Sequence, residues 1–206
     1  MYIILSPSFA NVEDLKSGSM TTYSRTISQN PDRNRKKEVR DFLFSLFTGM
    51  QLNKIVGLAG PNIQDYIEFC KSKGFTEFEI YEKDGITAIH QLTSLNDKVT
   101  LKLTDIINAN PNEPNVLFDL DYCVTGRYME PHMAKFLDRF IMTFSIRGVS
   151  VKETMDRFFK VRDEKVIGIT HPPYPFLAAE YYTNKGKYLQ LSYRDTAPMM
   201  CLAKIL

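Results

Sequence analysis

The stretch that decides the fold is NKIVGLAGPNIQDYIEFCKSKGFTEFEIYEKD, from Asn53 to Asp84. Its pattern predicts a buried strand at Lys54–Leu58, a tight turn containing Gly60, an amphipathic helix at Ile63–Ser72 and a second strand at Glu77–Tyr81. Apolar residues recur at three- and four-residue spacing in the helix and form short runs in the strands. A strand, a turn, a helix and another strand in this order predict one unit of a parallel α/β sheet.

The rest of the chain continues the alternation. The pattern predicts further strands at Val99–Leu103, Val116–Leu120 and Ile141–Phe144, and helices from Arg35 to Gly49, at Pro131–Phe140 and at Val151–Val161. The stretch between Asp84 and Val99 reads as less regular, and the tail offers Tyr- and Leu-rich strands around the turn NKGK. The predicted fold class is α/β, with a doubly wound, mostly parallel sheet that ends in an antiparallel C-terminal hairpin.

Composition excludes several classes of protein. The 206 residues are 44% hydrophobic and 24% charged with a net charge of +2, which is typical of a globular protein and too mild to indicate nucleic-acid binding by itself. The three cysteines form no CxxC pair, and no apolar run is long enough to span a bilayer. We therefore expect a soluble, cytoplasmic protein with no metal site and no membrane partner. We expect an N-terminal arm and helix at residues 1–50, a possible lid or substrate-contact segment, and a main domain at residues 51–206.

Polar residues follow each predicted strand of the sheet. In an open α/β sheet, ligands bind beyond the carboxyl ends of the strands, and these ends carry LAGPN, YEKD, LTDI and DLDYC. Each has a local explanation: LAGPN can be a strand-to-helix turn capped by Asn62, Glu82 a loop acid, and Asp105 an N-cap. However, Glu82 lies 22 residues beyond Gly60, close to the spacing between a nucleotide-loop glycine and a ribose-binding acid. Together the four ends favour an adenosine-containing ligand.

The order VGLAGPN, IYEKD, LKLTDI, VLFDLDYC resembles that of the class I (Rossmann-like) S-adenosylmethionine-dependent methyltransferases, from about Asn53 to the C-terminus. The resemblance implies S-adenosylmethionine as cofactor. It implies that the first turn wraps the methionine part of the cofactor, through Leu58, Ala59, Gly60, Pro61 and Asn62. It further places Glu82 and Lys83 at the ribose hydroxyls, and Asp105 and Ile106 beside adenine. The segment facing the transferred methyl would be Asp119, Asp121 and Tyr122, with Asp119 also close to the cofactor.

The chain departs from that family at two positions. Val56 stands where the first strand commonly carries an acid, and Asn62 stands where a third glycine is common. The sequence therefore leaves two functions open: a methyltransferase, or a catalytically degenerate member that serves as a regulatory or assembly subunit with a protein partner. A nucleotide-binding oxidoreductase is a third alternative, disfavoured because no full GxGxxG is present.

The methyl acceptor is predicted less sharply. A nucleic acid, or another amine- or hydroxyl-bearing molecule, suits Asp119 or Asp121 as a base or hydrogen-bond acceptor. The segment THPPYPF, with His171 and Tyr174, resembles the DPPY motif of amino-directed nucleic-acid methyltransferases, although a Pro-rich loop is the simpler interpretation. Tyr23 in the basic N-terminal arm and Arg194 in YRD complete the weak substrate candidates.

Overall fold

The computed structural model describes residues 2–5, 32–60, 62–95, 98–125, 129–136, 138–173, 177–194 and 198–205. Within them, side chains are described except at 2–5, 32–35, 94, 123–125 and 194. The chain forms two compact units, each considered by itself below. Unit 1 comprises residues 1–27 and 51–117, and unit 2 comprises residues 28–50 and 118–206. None of the helices in the described ranges is long and apolar enough to cross a membrane.

Helices and strands alternate along most of the chain. The helices are α1 (Asp32–Ser45), α2 (Ile63–Ser72), α3 (Gly85–Ser94), α4 (Glu130–Lys135) and α5 (Val151–Val161), with a one-turn 3-10 helix at Ile106–Asn108. The strands are β1 (Tyr2–Leu5), β2 (Lys54–Gly57), β3 (Glu77–Glu82), β4 (Thr100–Leu103), β5 (Val116–Thr125), β6 (Phe140–Ser145), β7 (Val166–Thr170), β8 (Leu177–Thr183), β9 (Gly186–Arg194) and β10 (Pro198–Lys204).

Unit 1 is built on parallel strands in the order β1-β4-β3-β2. Parallel neighbours cannot be joined by a tight hairpin, so the chain crosses over from β2 to β3 through α2 and from β3 to β4 through α3. Four residues of α2 at helical spacing are buried, namely Ile63, Tyr66, Ile67 and Cys70. This apolar stripe is the pattern that predicted α2, and its predicted bounds are confirmed.

Unit 2 is mixed, with strands in the order β5-β6-β10-β9-β8-β7. β5 and β6 are parallel, whereas β10 pairs antiparallel with both β6 and β9, and β8 pairs antiparallel with both β9 and β7. A two-residue turn at Asn184 and Lys185 joins β8 to β9, as the NKGK segment predicted. The predicted α/β class, with parallel strands followed by antiparallel ones, is confirmed, although the antiparallel part has four strands and is larger than a hairpin.

Four predicted elements differ in type or bounds. The helix predicted from Arg35 to Gly49 begins and ends earlier, as α1 at Asp32–Ser45. The less regular stretch after Asp84 contains helix α3. The helix predicted at Pro131–Phe140 is the six-residue α4, and Phe140 instead begins β6. The strand predicted to end at Leu120 continues to Thr125. Helix α5 was predicted correctly at both ends, with Ser150 and Glu153 forming a capping box.

The errors at β5 and β6 come from buried segments that lack a one-sided pattern. Phe140–Ser145 is a continuous apolar run that is buried on both faces, and such a run does not distinguish a strand from a buried helix. β5 carries acids inside an apolar strand, which suggested that the strand stops there. β1 and β7 were not predicted, and in β7 the apolar Ile167 and Ile169 are exposed and do not line the core.

A buried ionic network holds α4, α5 and the antiparallel strands of unit 2 together. The guanidinium of Arg162, whose side chain is fully buried, donates to Glu164 Oε1 at 2.9 Å and to the Tyr188 hydroxyl at 2.9 Å. It also donates to the carbonyl oxygens of Met133 and Phe136 at the end of α4. Burial acts to raise the pKa of Glu164, but hydrogen bonds from Tyr188 and the charge of Arg162 outweigh it and lower the pKa.

We expect Glu164→Gln to destabilise the protein by roughly 3–5 kcal/mol, because it leaves the buried guanidinium without its anionic partner. Urea unfolding followed by circular dichroism measures the change. Asp156→Asn is the matched control, since it makes the same change in the exposed pair with Lys152 and should alter stability far less. The difference in free energy of unfolding between the wild type and Glu164→Gln should disappear as pH falls through the lowered pKa of Glu164. If that difference persists unchanged in acid, the ionic explanation is contradicted.

Candidate functional site

The carboxyl ends of β2, β3 and β4 meet at one edge of unit 1. The parallel register pairs Gly57 with Ile80 and Glu82 with Leu103. The segments that leave these strands therefore start side by side, which is where an open α/β sheet binds its ligands. This register brings together the predicted cofactor residues of unit 1, which lie in the turn after β2, at the end of β3 and after β4.

The turn after β2 contains a glycine in a conformation that other residues avoid. Gly60 has a φ of +63°, in the left-handed region that glycine enters without steric penalty. Leu58 and Ala59, which precede it, are half-buried. Asn62 occupies the N-cap position of α2, but its side chain makes no capping hydrogen bond, so the predicted cap is wrong in that respect. Pro61 lies outside the described residues.

Glu82 is half-buried at the end of β3, and the backbone N–H of Asp84 donates to its Oε1 at 2.9 Å. Burial, reinforced by the nearby charge of Asp84, raises the pKa of Glu82. The side chain of Asp84 caps α3, because its Oδ2 accepts from Thr87 N at 2.9 Å and from Thr87 Oγ1 at 2.6 Å. The end of β3 and the start of α3 are thus tied to each other.

Asp105 and Ile106 follow β4. Asp105 is the N-cap of the 3-10 helix, since its Oδ1 accepts from Ile107 N at 3.0 Å, which confirms the capping role that its position suggested. Lys83 Nζ lies 3.6 Å from Asp105 Oδ2 and links the ends of β3 and β4. Because Lys83 is largely exposed, this ion pair contributes little stability. The Ile106 side chain is buried.

Gln91 of α3 is a site residue that the sequence did not indicate. Its side chain is completely buried, and its Nε2 donates to the carbonyl oxygen of Gly60 at 2.7 Å. The contact joins α3 to the glycine turn across 31 residues of sequence. Two features of the sequence could have predicted α3, namely a capping residue at Asp84 and apolar residues at helical spacing after it. The polar Gln91 occupies a buried position of that helix and so interrupts the apolar spacing.

In unit 2, Asp119 and Asp121 lie within β5 and not at its end, because the strand continues to Thr125. Both carboxylates are held by cations of α1. Arg40 Nη2 lies 2.5 Å from Asp119 Oδ2, and Lys36 Nζ lies 2.8 Å from Asp121 Oδ2. The two acids and the two cations are spaced alike, because two residues along a strand and four residues along a helix both advance about 6 Å.

The cations of α1 favour the anionic form of Asp121. Burial acts to raise the pKa of Asp121, but the positive charges of Lys36 and Arg40 outweigh it and hold the pKa below its ordinary value. The cavity beside them, which Thr143 and Cys201 also line, has about 20 Å³, enough for about one water. Within unit 2, α1 thus closes over these two carboxylates.

Tyr122, the third predicted catalytic residue, is buried next to Asp121 in β5, where the pairing with β6 becomes irregular, and it contacts α4. Its hydroxyl lies 2.6 Å from His132 Nδ1 of α4, and the two rings meet edge to face at 4.9 Å. The structure therefore pairs Asp119 and Asp121 with α1, and Tyr122 with α4. The sequence did not predict the pair of Tyr122 and His132.

The weak substrate candidates are mostly outside the described part of the chain. Tyr23 and Tyr174 lie outside the described residues, and the side chain of Arg194 is not described. His171 follows β7, is exposed, and places its Nδ1 2.8 Å from the carbonyl oxygen of Ala178. Among the residues that the structure describes, no three His, Cys, Asp or Glu side chains are grouped so as to hold a metal ion.

The fold is similar to those of two solved structures described as methyltransferases. A candidate RNA methyltransferase from Pyrococcus horikoshii aligns with 94% of this chain and 97% of its own, with a TM-score of 0.52 and 13% identity. A SAM-dependent methyltransferase from Leishmania major aligns with 84% of this chain and 72% of its own, with a TM-score of 0.51 and 13% identity. No protein-family model matches the sequence, and no curated protein matches it. The chain has the fold of the class I S-adenosylmethionine-dependent methyltransferases.

We expect Arg40→Ala to destabilise the protein by roughly 2–3 kcal/mol, because it removes the guanidinium from the buried Asp119 carboxylate. The double variant Arg40→Ala/Asp119→Asn should recover much of that loss, since a neutral amide costs less to bury than a carboxylate. Urea unfolding of both variants measures this, with Lys37→Ala, an exposed position on the same helix, as the control. If the double variant is no more stable than Arg40→Ala, the charge of Asp119 is not the source of the cost.

Proposed function

We propose that this chain is a class I methyltransferase that binds S-adenosylmethionine through unit 1. The observation that carries the proposal is the convergence of Gly60, Glu82 and Asp105 at the carboxyl ends of three adjacent parallel strands. The sequence resemblance to the methyltransferases assigns the same three positions to the cofactor. The fold supports the same class of protein.

The chemistry of these residues fits the cofactor. A carboxylate accepts up to about four hydrogen bonds. Glu82 accepts backbone hydrogen bonds from Asp84 and Lys83, which leaves capacity for the two ribose hydroxyls. The left-handed turn at Gly60 presents backbone instead of side chain, which suits the amino-acid end of the ligand. Asp105 is a hydrogen-bond acceptor that suits an adenine amine, and the buried Ile106 side chain anchors the segment that carries it.

The protein's part in such a reaction is binding and orientation. When bound, S-adenosylmethionine supplies an activated methyl group, and the reaction needs chiefly that acceptor and methyl be aligned. We propose that Glu82 fixes the ribose and the turn from Leu58 to Asn62 fixes the amino-acid end. Asp121, whose anionic form is favoured by the charges of Lys36 and Arg40, suits holding a cationic or hydrogen-bonding acceptor better than removing its proton, and Asp119 lines the same small cavity.

A catalytically degenerate subunit is the second candidate, and one observation favours it. Asp119 and Asp121 are both engaged by Arg40 and Lys36 of the same chain, as residues with a structural role would be. Val56 and Asn62, which depart from the family pattern, agree with this alternative. Cofactor binding without methyl transfer to any acceptor would distinguish the subunit from the enzyme.

The acceptor is a separate proposal. We propose an amine- or hydroxyl-bearing molecule and would test RNA and DNA first, because the basic N-terminal segment offers cations for a phosphate backbone. Transfer of a labelled methyl group to either nucleic acid, to basic proteins or to small amines identifies the class. A cytoplasmic location and a nucleic-acid partner both stay predictions of the sequence.

We expect the wild type to bind S-adenosylmethionine and S-adenosylhomocysteine in calorimetric titration, and Glu82→Ala to weaken both by about 10- to 150-fold. That range corresponds to roughly 1.5–3 kcal/mol for hydrogen bonds to a charged acceptor. Glu77→Ala, an exposed acid at the start of the same strand, is the control and should bind normally. Absence of binding by the wild type would end the cofactor proposal, whereas normal binding by Glu82→Ala would end only the ribose assignment.

The affinity should also depend on pH. Because burial raises the pKa of Glu82, its carboxyl should begin to take up a proton at a pH above the ordinary glutamate value, and its strength as an acceptor then falls. We therefore expect S-adenosylhomocysteine affinity to decrease as pH falls through that raised pKa. Glu82→Gln should bind more weakly at neutral pH and lack this dependence. The same titration from pH 7.5 to pH 5 measures it, and identical pH profiles for both proteins would contradict the role of Glu82.

A further inference from the structure

The buried amide of Gln91 can face the Gly60 carbonyl in only one way. A carbonyl oxygen accepts hydrogen bonds and cannot donate, so the group that approaches it at 2.7 Å must be the NH₂ of the glutamine. Gln91 is completely buried although most of α3 around it is exposed or half-buried. A long polar side chain loses substantial rotamer entropy when it is buried. Its position on the core side of α3 therefore calls for an explanation beyond filling space.

The peptide group after Gly60 has only one hydrogen-bonding atom. It joins the Gly60 carbonyl to the nitrogen of Pro61, and proline carries no N–H. The orientation of this peptide plane can therefore be fixed by hydrogen bonding only through the Gly60 oxygen, which Gln91 holds. Glycine is also the residue whose backbone is least restrained by its own sterics, and Gly60 is in the left-handed region. Gln91 therefore restrains the turn at a residue that carries no side chain of its own to fix the backbone.

The same helix is anchored to Glu82 at its other end. Asp84 caps α3 with its side chain and donates its backbone N–H to the Glu82 carboxylate. α3 thus spans from the predicted ribose acid to the predicted amino-acid turn, with Asp84 at its start and Gln91 two turns later. A helix is stiff over ten residues, so the positions of its two anchors are coupled.

We propose that Gln91 is a positioning residue for S-adenosylmethionine and that α3 is a brace that sets the Gly60 turn at a fixed place relative to Glu82. The inference rests on the proposed function, because it assumes that the turn holds the amino-acid end of the cofactor and Glu82 the ribose. The role assigned to Gln91 is selective. Loss of its hydrogen bond should lower the affinity for ligands that reach the turn and leave unchanged the affinity for ligands that end at the ribose.

Two ligands separate that role from a general structural one. S-adenosylhomocysteine carries the amino-acid end, whereas 5′-methylthioadenosine has the same adenosine and sulfur without it. In Gln91→Met, which keeps the length and burial of the side chain but removes the donor, we expect about tenfold weaker binding of S-adenosylhomocysteine. Binding of 5′-methylthioadenosine should stay within about twofold. His90→Ala, an exposed neighbour on α3, is the control and should bind both ligands normally.

Gln91→Glu provides a second, independent readout. Burial raises the pKa of a glutamate, and a protonated carboxyl can donate to the Gly60 oxygen, whereas a carboxylate repels it. Relative to the wild type at the same pH, this variant should bind S-adenosylhomocysteine nearly normally at about pH 5 and progressively more weakly toward pH 8. The affinity of the wild type also changes with pH, through Glu82. Comparing the variant with the wild type at each pH cancels that change. Protonated Gln91→Glu retains the hydrogen bond to Gly60, so this variant can test the inference even if Gln91→Met does not fold.

The outcomes are distinguishable. If the wild type binds neither ligand, the proposed function fails and this inference fails with it. If the wild type binds but the Gln91 variants lose both ligands equally, Gln91 only maintains the fold, and if they lose neither, the turn does not need it. Either result overturns the inference and leaves the proposed function standing. Selective loss of S-adenosylhomocysteine, with a pH-dependent return in Gln91→Glu, supports it.

Discussion

The parallel register of β2, β3 and β4 is the constraint on which the candidate site depends. Between parallel strands the chain crosses back to the end of the sheet where the strands begin, so every strand finishes at the same opposite edge and its following segment starts there. The turn at Gly60, the acid Glu82 and the cap Asp105 are neighbours for this reason, although they are far apart in sequence. The backbone hydrogen bonds between the strands, more than any side-chain contact, place the residues of the candidate site next to each other.

The sequence predicted best where burial is one-sided. α2 buries Ile63, Tyr66, Ile67 and Cys70 on one stripe, and its bounds follow from that spacing. α3 has a poorer signal, because Gly85 and Thr87 have low helix propensity and the residue buried most completely, Gln91, is polar. The helix is stabilised by its cap and by a tertiary hydrogen bond. Neither contribution appears in a hydrophobic pattern.

The acids of β5 show a different limit. The sequence identified Asp119 and Asp121 as unusual, because two carboxylates inside an apolar strand require a reason. It could not supply the reason, since Arg40 lies 79 residues away from its partner and a pattern of local spacings carries no information on such pairing. The same holds for Tyr122 and His132, whose contact depends on where α4 begins. Chemical candidates could be read from the sequence, whereas their partners required the fold.

The proline after Gly60 has an evolutionary consequence. In this chain the peptide plane between positions 60 and 61 offers one oxygen and no N–H, so one glutamine restrains it. A related chain with any other residue at position 61 would regain a donor on the opposite side of that plane, and its turn could be held from there. Selection on position 91 would then relax. Substitutions at positions 61 and 91 should accordingly be inherited together, although thirty residues separate them.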